Sequence, residues 1–151
     1  MKLSKPKLSD ITEMQNLVKP FIEEGIILPR SDEEVANAIR SYTIARENGA
    51  IVGFSSLFIY TQKLAEVRSL VVAKNSQKKG IGSEIVQTLI LEARDLGLAQ
   101  LLTLTYHANF FERLGFKSVP KEDVWHHKVW EDCVRCRHFP VCNETALILT
   151  I

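Results

Sequence analysis

Gln77-Lys78-Lys79-Gly80-Ile81-Gly82-Ser83 joins the apolar run Leu70-Val71-Val72 to a long amphipathic stretch, and the reading of this junction decides the fold. Glycines at a strand-to-helix junction let the backbone approach a ligand closely. The first amides of the helix lack intrahelical acceptors, and the positive end of the macrodipole lies behind them, so together they form an anion site of pyrophosphate size. A Walker loop would end in Gly-Lys-Ser/Thr and a dinucleotide loop would carry a third glycine; neither spelling is present. The same residues are also compatible with a plain turn whose glycines serve close packing, so the flanking elements must decide.

Downstream, Ile81, Ile85, Val86, Leu89 and Ala93 fall on one helical face that stops at Gly97. Upstream, Ala65 to Val72 reads as a strand. Before it, Thr43 to Arg46, the turn Glu47-Asn48-Gly49 and Ala50 to Tyr60 read as a hairpin, since Asn-Gly accepts the positive φ angles of a tight turn. Nearer the start, Ser9 or Asp10 caps a helix carrying Ile11, Met14, Val18, Phe21 and Ile22 up to Gly25, with Pro20 expected to kink or shorten it. After Ile26-Ile27-Leu28-Pro29 comes Arg30, and then Ser31 and Glu34 spell a capping box for a helix with Val35, Ala38 and Ile39. Beyond Gly97, Leu101 to Thr105 is a short buried strand, Asn109 to Leu114 a helix closed by Gly115, and Thr145 to Ile151 a final strand. A Cys-, His- and Trp-rich excursion at about residues 120–144 precedes that strand. The alternation predicts an α/β (α+β) fold, a mixed central sheet flanked by helices in a single domain over residues 1–151.

Composition bounds the function. A chain of 151 residues with 46% hydrophobic content buries one good core, and a net charge of +1 with interspersed signs argues against nucleic acid as partner. The start, Met1 to Lys7, has no apolar leader region, and no stretch approaches the roughly 20 apolar residues that span a bilayer, so a cytoplasmic protein with no membrane partner and a small-molecule ligand is expected.

The order Q-x-x-G-x-G after a Val-rich strand resembles the acetyl-CoA loop of the GNAT superfamily of N-acetyltransferases. A second anchor, Phe110-Phe111-Glu112-Arg113-Leu114-Gly115-Phe116, looks like that family's F-Y-x-x-x-G-F segment. The resemblance covers nearly the whole chain and implies the GNAT fold with acetyl-CoA as cosubstrate. It implies that Gln77, Lys78, Lys79, Gly80, Ile81, Gly82 and Ser83 surround the pyrophosphate, that Leu70, Val71 and Val72 lie along the pantetheine arm, and that Phe111 borders the same site. It also makes a homodimer an open expectation. Many family members carry a tyrosine at position 111 that protonates the leaving thiolate; Phe111 cannot, which leaves Tyr106 as a candidate acid or as a structural residue.

An amine must lose a proton before it attacks, so a carboxylate at the acceptor end is useful. Glu66 is the candidate, with Arg68 two residues on and therefore on the same strand face. A surface ion pair is the alternative reading of these two. Within the superfamily the chain most resembles short stand-alone N-acetylglutamate synthases, through Leu28-Pro29-Arg30, Ala65 to Val72, Leu102-Thr103-Leu104-Thr105-Tyr106 and Lys128-Val129-Trp130. Longer synthases also have phenylalanine at the place of Phe111, and carry an amino-acid kinase domain that these residues do not include. The resemblance implies L-glutamate as acceptor. Separately, its two carboxylates call for cationic ligands, for which Arg30, Arg68 and Lys128 are the candidates, each with a plain surface charge as the alternative reading. Another amine acceptor, a noncatalytic CoA sensor and an interaction module built on the excursion stand as alternatives.

Cys133, Cys136 and Cys142 give C-x2-C-x5-C, and His138, or His126 and His127, could complete a structural zinc site; buried thiols are the other reading.

Overall fold

The computed structural model describes residues 1–123 and 144–151. β1 (Lys2–Ser4) leads into α1 (Ile11–Glu23) and α2 (Asp32–Asn37). Three strands follow, β2 (Tyr42–Glu47), β3 (Ala50–Ile59) and β4 (Leu64–Val72), then α3 (Ile81–Leu96), β5 (Gln100–Thr105), α4 (Ala108–Arg113), β6 (Lys117–Val119) and β7 (Thr145–Thr150). Among the described residues the strands form one mixed sheet in the order β1-β2-β3-β4-β5-β7-β6. Its only parallel pair is β4 with β5. No helix among them is long and apolar enough to cross a membrane.

Local chemistry accounts for the elements. Asn48 and Gly49, at φ 52° and 82°, turn β2 into β3. The Ser31 hydroxyl accepts from the Glu34 amide at 3.1 Å and the Glu34 carboxylate accepts from the Ser31 amide at 3.0 Å, closing the expected capping box of α2. That helix ends at Asn37, and Ile39 starts a separate short 3-10 turn rather than extending it. Pro20 does not stop α1, which runs on to Glu23. Proline forfeits one amide, and burial of Phe21 against the sheet outweighs that loss. Asp10 sits at the α1 cap position without capping; its carboxylate instead accepts from the Lys7 amide at 2.7 Å and pairs with Arg46 at 2.6 Å.

The sheet has two faces. Val86, Leu89, Ile90 and Ala93 of α3 pack on Leu57, Ala65, Val67, Leu101 and Leu147, with Phe111 and Phe116 extending the cluster. On the other face Met14, Val18 and Phe21 of α1 and Val35 of α2 pack on Tyr42, Ile44, Phe54 and Val71.

Two irregularities shape the centre. β4 pairs with β5 only at Leu64↔Gln100, Ala65↔Leu101 and Glu66↔Leu102, although both strands continue. They fork at Val67 and Thr103, where the Thr103 hydroxyl donates to the Val67 carbonyl at 3.2 Å. On the opposite edge of β4, Ser56 pairs with Arg68 and Phe54 with Val71, so Ser69 and Leu70 face Ser55 alone in a bulge. Ser69 is held at φ 58°, and the Ser55 hydroxyl donates to the Arg68 carbonyl at 2.9 Å.

Candidate active site

The fork opens a cleft of about 870 Å³. Gln77, Lys78, Gly80, Ile81, Gly82 and Ser83 wall one end, Ser69 to Val72 and Thr103 to Thr105 line its two sides, and Phe110 and Phe111 of α4 lie across from the loop. Lys79 is exposed and is not part of the wall. Lys78 at φ 67° and Gly80 at φ 83° put two left-handed residues in the loop, which aims the first amides of α3 into the cleft. The Gln77 side-chain amide donates to the Val72 carbonyl at 3.1 Å, fastening the loop to the end of β4. At the mouth, Lys74 pairs with Glu24, linking the segments that follow β4 and α1.

Phe111 is buried, edge-on to Phe110 at 5.0 Å and to Phe116 at 5.2 Å, so it shapes the wall and offers no proton. Tyr106 stands in the cleft wall just past β5 and is 38% exposed. Tyr106 is the one phenol among the described wall residues.

Glu66 and Arg68 share a face, as strand parity requires, and that face is the one covered by α1 and α2. Glu66 is 7% exposed and does not line the cleft. Its Oε1 accepts from the Tyr60 hydroxyl at 2.5 Å and from Arg68 Nε at 3.1 Å, while Arg68 Nη2 donates to the Tyr60 hydroxyl at 2.8 Å. The guanidinium lies 3.7 Å above the Phe58 ring. The surface ion-pair reading thus gives way to a buried, hydrogen-bonded triad with an aromatic floor. Burial and the adjacent Glu66 charge push the Tyr60 phenol far above its ordinary range, so it remains a donor.

Tyr42 lies next along the same face, paired through Ser56 with Arg68. Burial raises its phenol, against the opposing influence of the Arg30 and Arg68 charges and with a further rise from Glu34. Arg30 and Arg68, far apart in sequence, thus both act electrostatically on Tyr42. Arg30 also walls a second, water-sized cavity of about 20 Å³ with Tyr42, Gln15 and Val35. Its carbonyl accepts from the Gln15 side chain at 2.9 Å, which holds the loop against α1. Ile27 and Ser69 line both this cavity and the cleft.

Sequence reasoning missed Tyr60, Tyr42 and Ser69. The β3–β4 register, Phe58 opposite Glu66, puts Tyr60 in phase with the carboxylate, a signal available once that register is known. A left-handed serine inside a Val-rich strand has no spelling of its own. Lys128, Cys133, Cys136, Cys142, His138, His126 and His127 lie outside the described residues. Among the described residues no group of three or more His, Cys, Asp or Glu is placed to hold a metal.

A family model, the acetyltransferase (GNAT) family, matches residues 9–116. An uncharacterized N-acetyltransferase of Chlorobaculum tepidum is 33% identical over 145 residues, covering 96% of this chain and 93% of that protein. The amino-acid acetyltransferase of Neisseria meningitidis is 28% identical over 76% of this chain, and the chain spans 27% of its length. Two solved structures share the fold. The N-acetylglutamate synthase from Neisseria gonorrhoeae, complexed with coenzyme A and N-acetyl-glutamate, has TM-score 0.88 at 23% identity over 99% of this chain and 34% of its own. Rv2747 from Mycobacterium tuberculosis, in complex with CoA, has TM-score 0.87 at 23% identity over 100% of this chain and 99% of its own. With a glycine-loop helix facing a forked parallel pair, and a family model spanning that whole arrangement, the chain belongs to the acetyltransferase (GNAT) family.

Proposed function

We propose that this protein is an acetyl-CoA-dependent N-acetyltransferase that acetylates the α-amine of L-glutamate by direct transfer. The observation that carries the reading is the union of two features at the fork. A cleft with an anion-binding loop at one end shares Ser69 and Ile27 with a cavity walled by Arg30, and on the same face of the sheet as Tyr42 the Arg68 guanidinium is bonded to the carboxylate of Glu66. The similarity to amino-acid acetyltransferases over 76% of the chain supports an amino acid as acceptor.

In this reading the amides of the loop hold the pyrophosphate of acetyl-CoA. The unpaired edge of β4 runs along the pantetheine arm, and a β4 backbone amide near the bulge stabilises the developing oxyanion. Arg30 and Arg68 orient the two acceptor carboxylates. Glu66, set back from the cleft, takes one proton of the α-ammonium through a water. The amine attacks the thioester carbonyl, and the C–S bond breaks as the tetrahedral adduct collapses. The CoA thiolate leaves and takes up the proton that the new amide nitrogen loses, by way of Tyr106 or solvent, with no covalent enzyme intermediate. The 20 Å³ cavity is far smaller than an amino acid, so loop 26–30 must shift to admit the acceptor.

The test is mass-spectrometric detection of N-acetylated products from acetyl-CoA with a panel of amino acids and amines. Preferential formation of N-acetylglutamate is expected. Preference for a nonacidic amine would overturn the acceptor assignment, and CoA binding without any product would replace the enzyme with a sensor.

A further inference from the structure

We propose that Tyr60 is a positioning residue for the acceptor end of the site, its hydroxyl locking the Glu66 carboxylate and the Arg68 guanidinium into one fixed triad. This rests on the reading of Glu66 as proton acceptor and Arg68 as carboxylate ligand.

The triad closes on itself. Glu66 Oε1 receives both the Tyr60 hydroxyl at 2.5 Å and Arg68 Nε at 3.1 Å, and Arg68 Nη2 returns to the Tyr60 oxygen at 2.8 Å. Neighbours two apart on a strand can pair in several rotamers. The third vertex narrows the choice, because the guanidinium must reach Oε1 and the phenol oxygen together while lying 3.7 Å over Phe58. Tyr60 is itself fixed. Its ring stands edge-on to Phe58 at 5.1 Å, and its amide donates to the Leu64 carbonyl at 2.9 Å in the turn joining β3 to β4. The Thr61 hydroxyl accepts from the amides of Lys63 and Leu64, both at 3.1 Å, which braces the same turn.

Placement ties the triad to the chemistry. Glu66 is the last β4 residue paired with β5, Val67 begins the fork, and Ser69, adjacent to Arg68, borders both cavities. A group that fixes Glu66 and Arg68 therefore acts on the stretch of β4 that leads directly into Ser69, the residue bordering both cavities. The phenol stays protonated, since burial and the Glu66 charge both oppose its ionisation, so it acts as a hydrogen-bond donor and not as a proton shuttle.

Tyr60→Phe tests the proposal while keeping the ring and its packing. Loss of a hydrogen bond to a charged group predicts a fall of about tenfold in kcat/KM for the acceptor, with KM for acetyl-CoA unchanged. The acid limb of the kcat/KM profile should move to higher pH, because a carboxylate deprived of an O–H donor is protonated more readily. Arg68 beside Glu66, and Tyr42, Arg30 and Glu34 beyond it, are the same in both proteins, so the displacement reports the hydroxyl. An unmoved acid limb, or no acid limb in either protein, overturns the proposal even if activity drops, since a merely structural tyrosine would lower activity without touching the profile. Glu66→Gln separates the underlying reading. Full turnover in that variant removes Glu66 as proton acceptor whatever Tyr60→Phe does. Lost turnover there with wild-type kinetics in Tyr60→Phe removes the Tyr60 proposal alone. The double variant should fall no further than Glu66→Gln.

Discussion

A guanidinium at the edge of a water-sized cavity and a second one stacked on an aromatic ring behave differently from surface cations. In the proposed reading each is a ligand for a carboxylate of the acceptor. Arg30→Ala is expected to raise KM for the acidic acceptor roughly 10- to 100-fold while leaving KM for acetyl-CoA near wild type, and steady-state kinetics with each substrate varied in turn will check it. An unaltered acceptor KM would remove Arg30 from the acceptor site. Proton linkage gives a second expectation. The phenols of Tyr60 and Tyr42 are both raised above their ordinary value of 10.0 in the folded chain. Folding then favours the protonated form, so the stability these groups contribute is fully present below about pH 10 and declines as pH rises beyond it. Urea midpoints across pH 8 to 11 should fall at the alkaline end, and less steeply in Tyr60→Phe than in wild type. At this scale the sequence was half legible. Strand parity was enough to put Glu66 and Arg68 on one face, and a proline-led loop before a cap was enough to single out Arg30. Tyr60 and Tyr42 were hidden because the contacts that give them meaning cross from one strand to another, and no spacing within a strand encodes them.

The bulge in β4 is an element-level device with a glycine beneath it. A Cβ on Gly53 would stand 2.9 Å from the Val71 carbonyl and 3.1 Å from the Ile85 side chain, so Gly53→Ala must push either β4 or α3. The expected loss is roughly 1–3 kcal/mol of stability, seen as a Tm lowered by a few degrees, together with weaker acetyl-CoA binding because the displaced carbonyl belongs to the cleft wall. A variant with wild-type Tm and acetyl-CoA KM would show that β4 yields without disturbing the site. Gly80 presents the opposite case. Nothing lies within 4 Å of a Cβ there, yet φ is +83°, so Gly80→Ala strains the backbone alone. The main elements expected from apolar period, caps and glycines are present, with their ends moved by a residue or two. Pro20 does not end α1 because its local cost is set against burial of the residues after it, and that burial is a tertiary quantity. The bulge at Ser69 was invisible for a related reason: Ser69 and Leu70 are ordinary strand residues, and only the pairing of Phe54 with Val71 forces the extra residue out.

At the scale of the molecule, the fork divides the sheet into two parts joined by little. Three residue pairs connect β4 to β5, Thr103 adds one hydrogen bond to Val67, and α3 packs against both sides through Leu57, Val67, Leu101 and Leu147. Residue spacing within the strands does not show this division, since β4 and β5 are separated by the whole of α3 and each spells a continuous apolar strand. The family resemblance implies splayed strands, and the pairing shows where they part at the cleft. A ligand filling that cleft supplies the contacts the two strands do not make with each other, so its binding must be linked to the cohesion of the sheet. Saturation with CoA at about 100 times Kd is expected to add about 2.7 kcal/mol to unfolding, a rise of several degrees in Tm. Any ligand of the native state would do that much, so the discriminating observation is local. In hydrogen exchange, protection should increase at amides of residues 67–72 and 103–105 and at the start of α3, while β1 to β3 change little. Thr103→Val, which removes the hydrogen bond across the fork, should raise exchange at the same amides without ligand, and CoA should restore part of the lost protection. Uniform protection over the whole sheet would mean that the two parts already move as one, and that the cleft is a rigid slot which CoA fills without drawing the strands together.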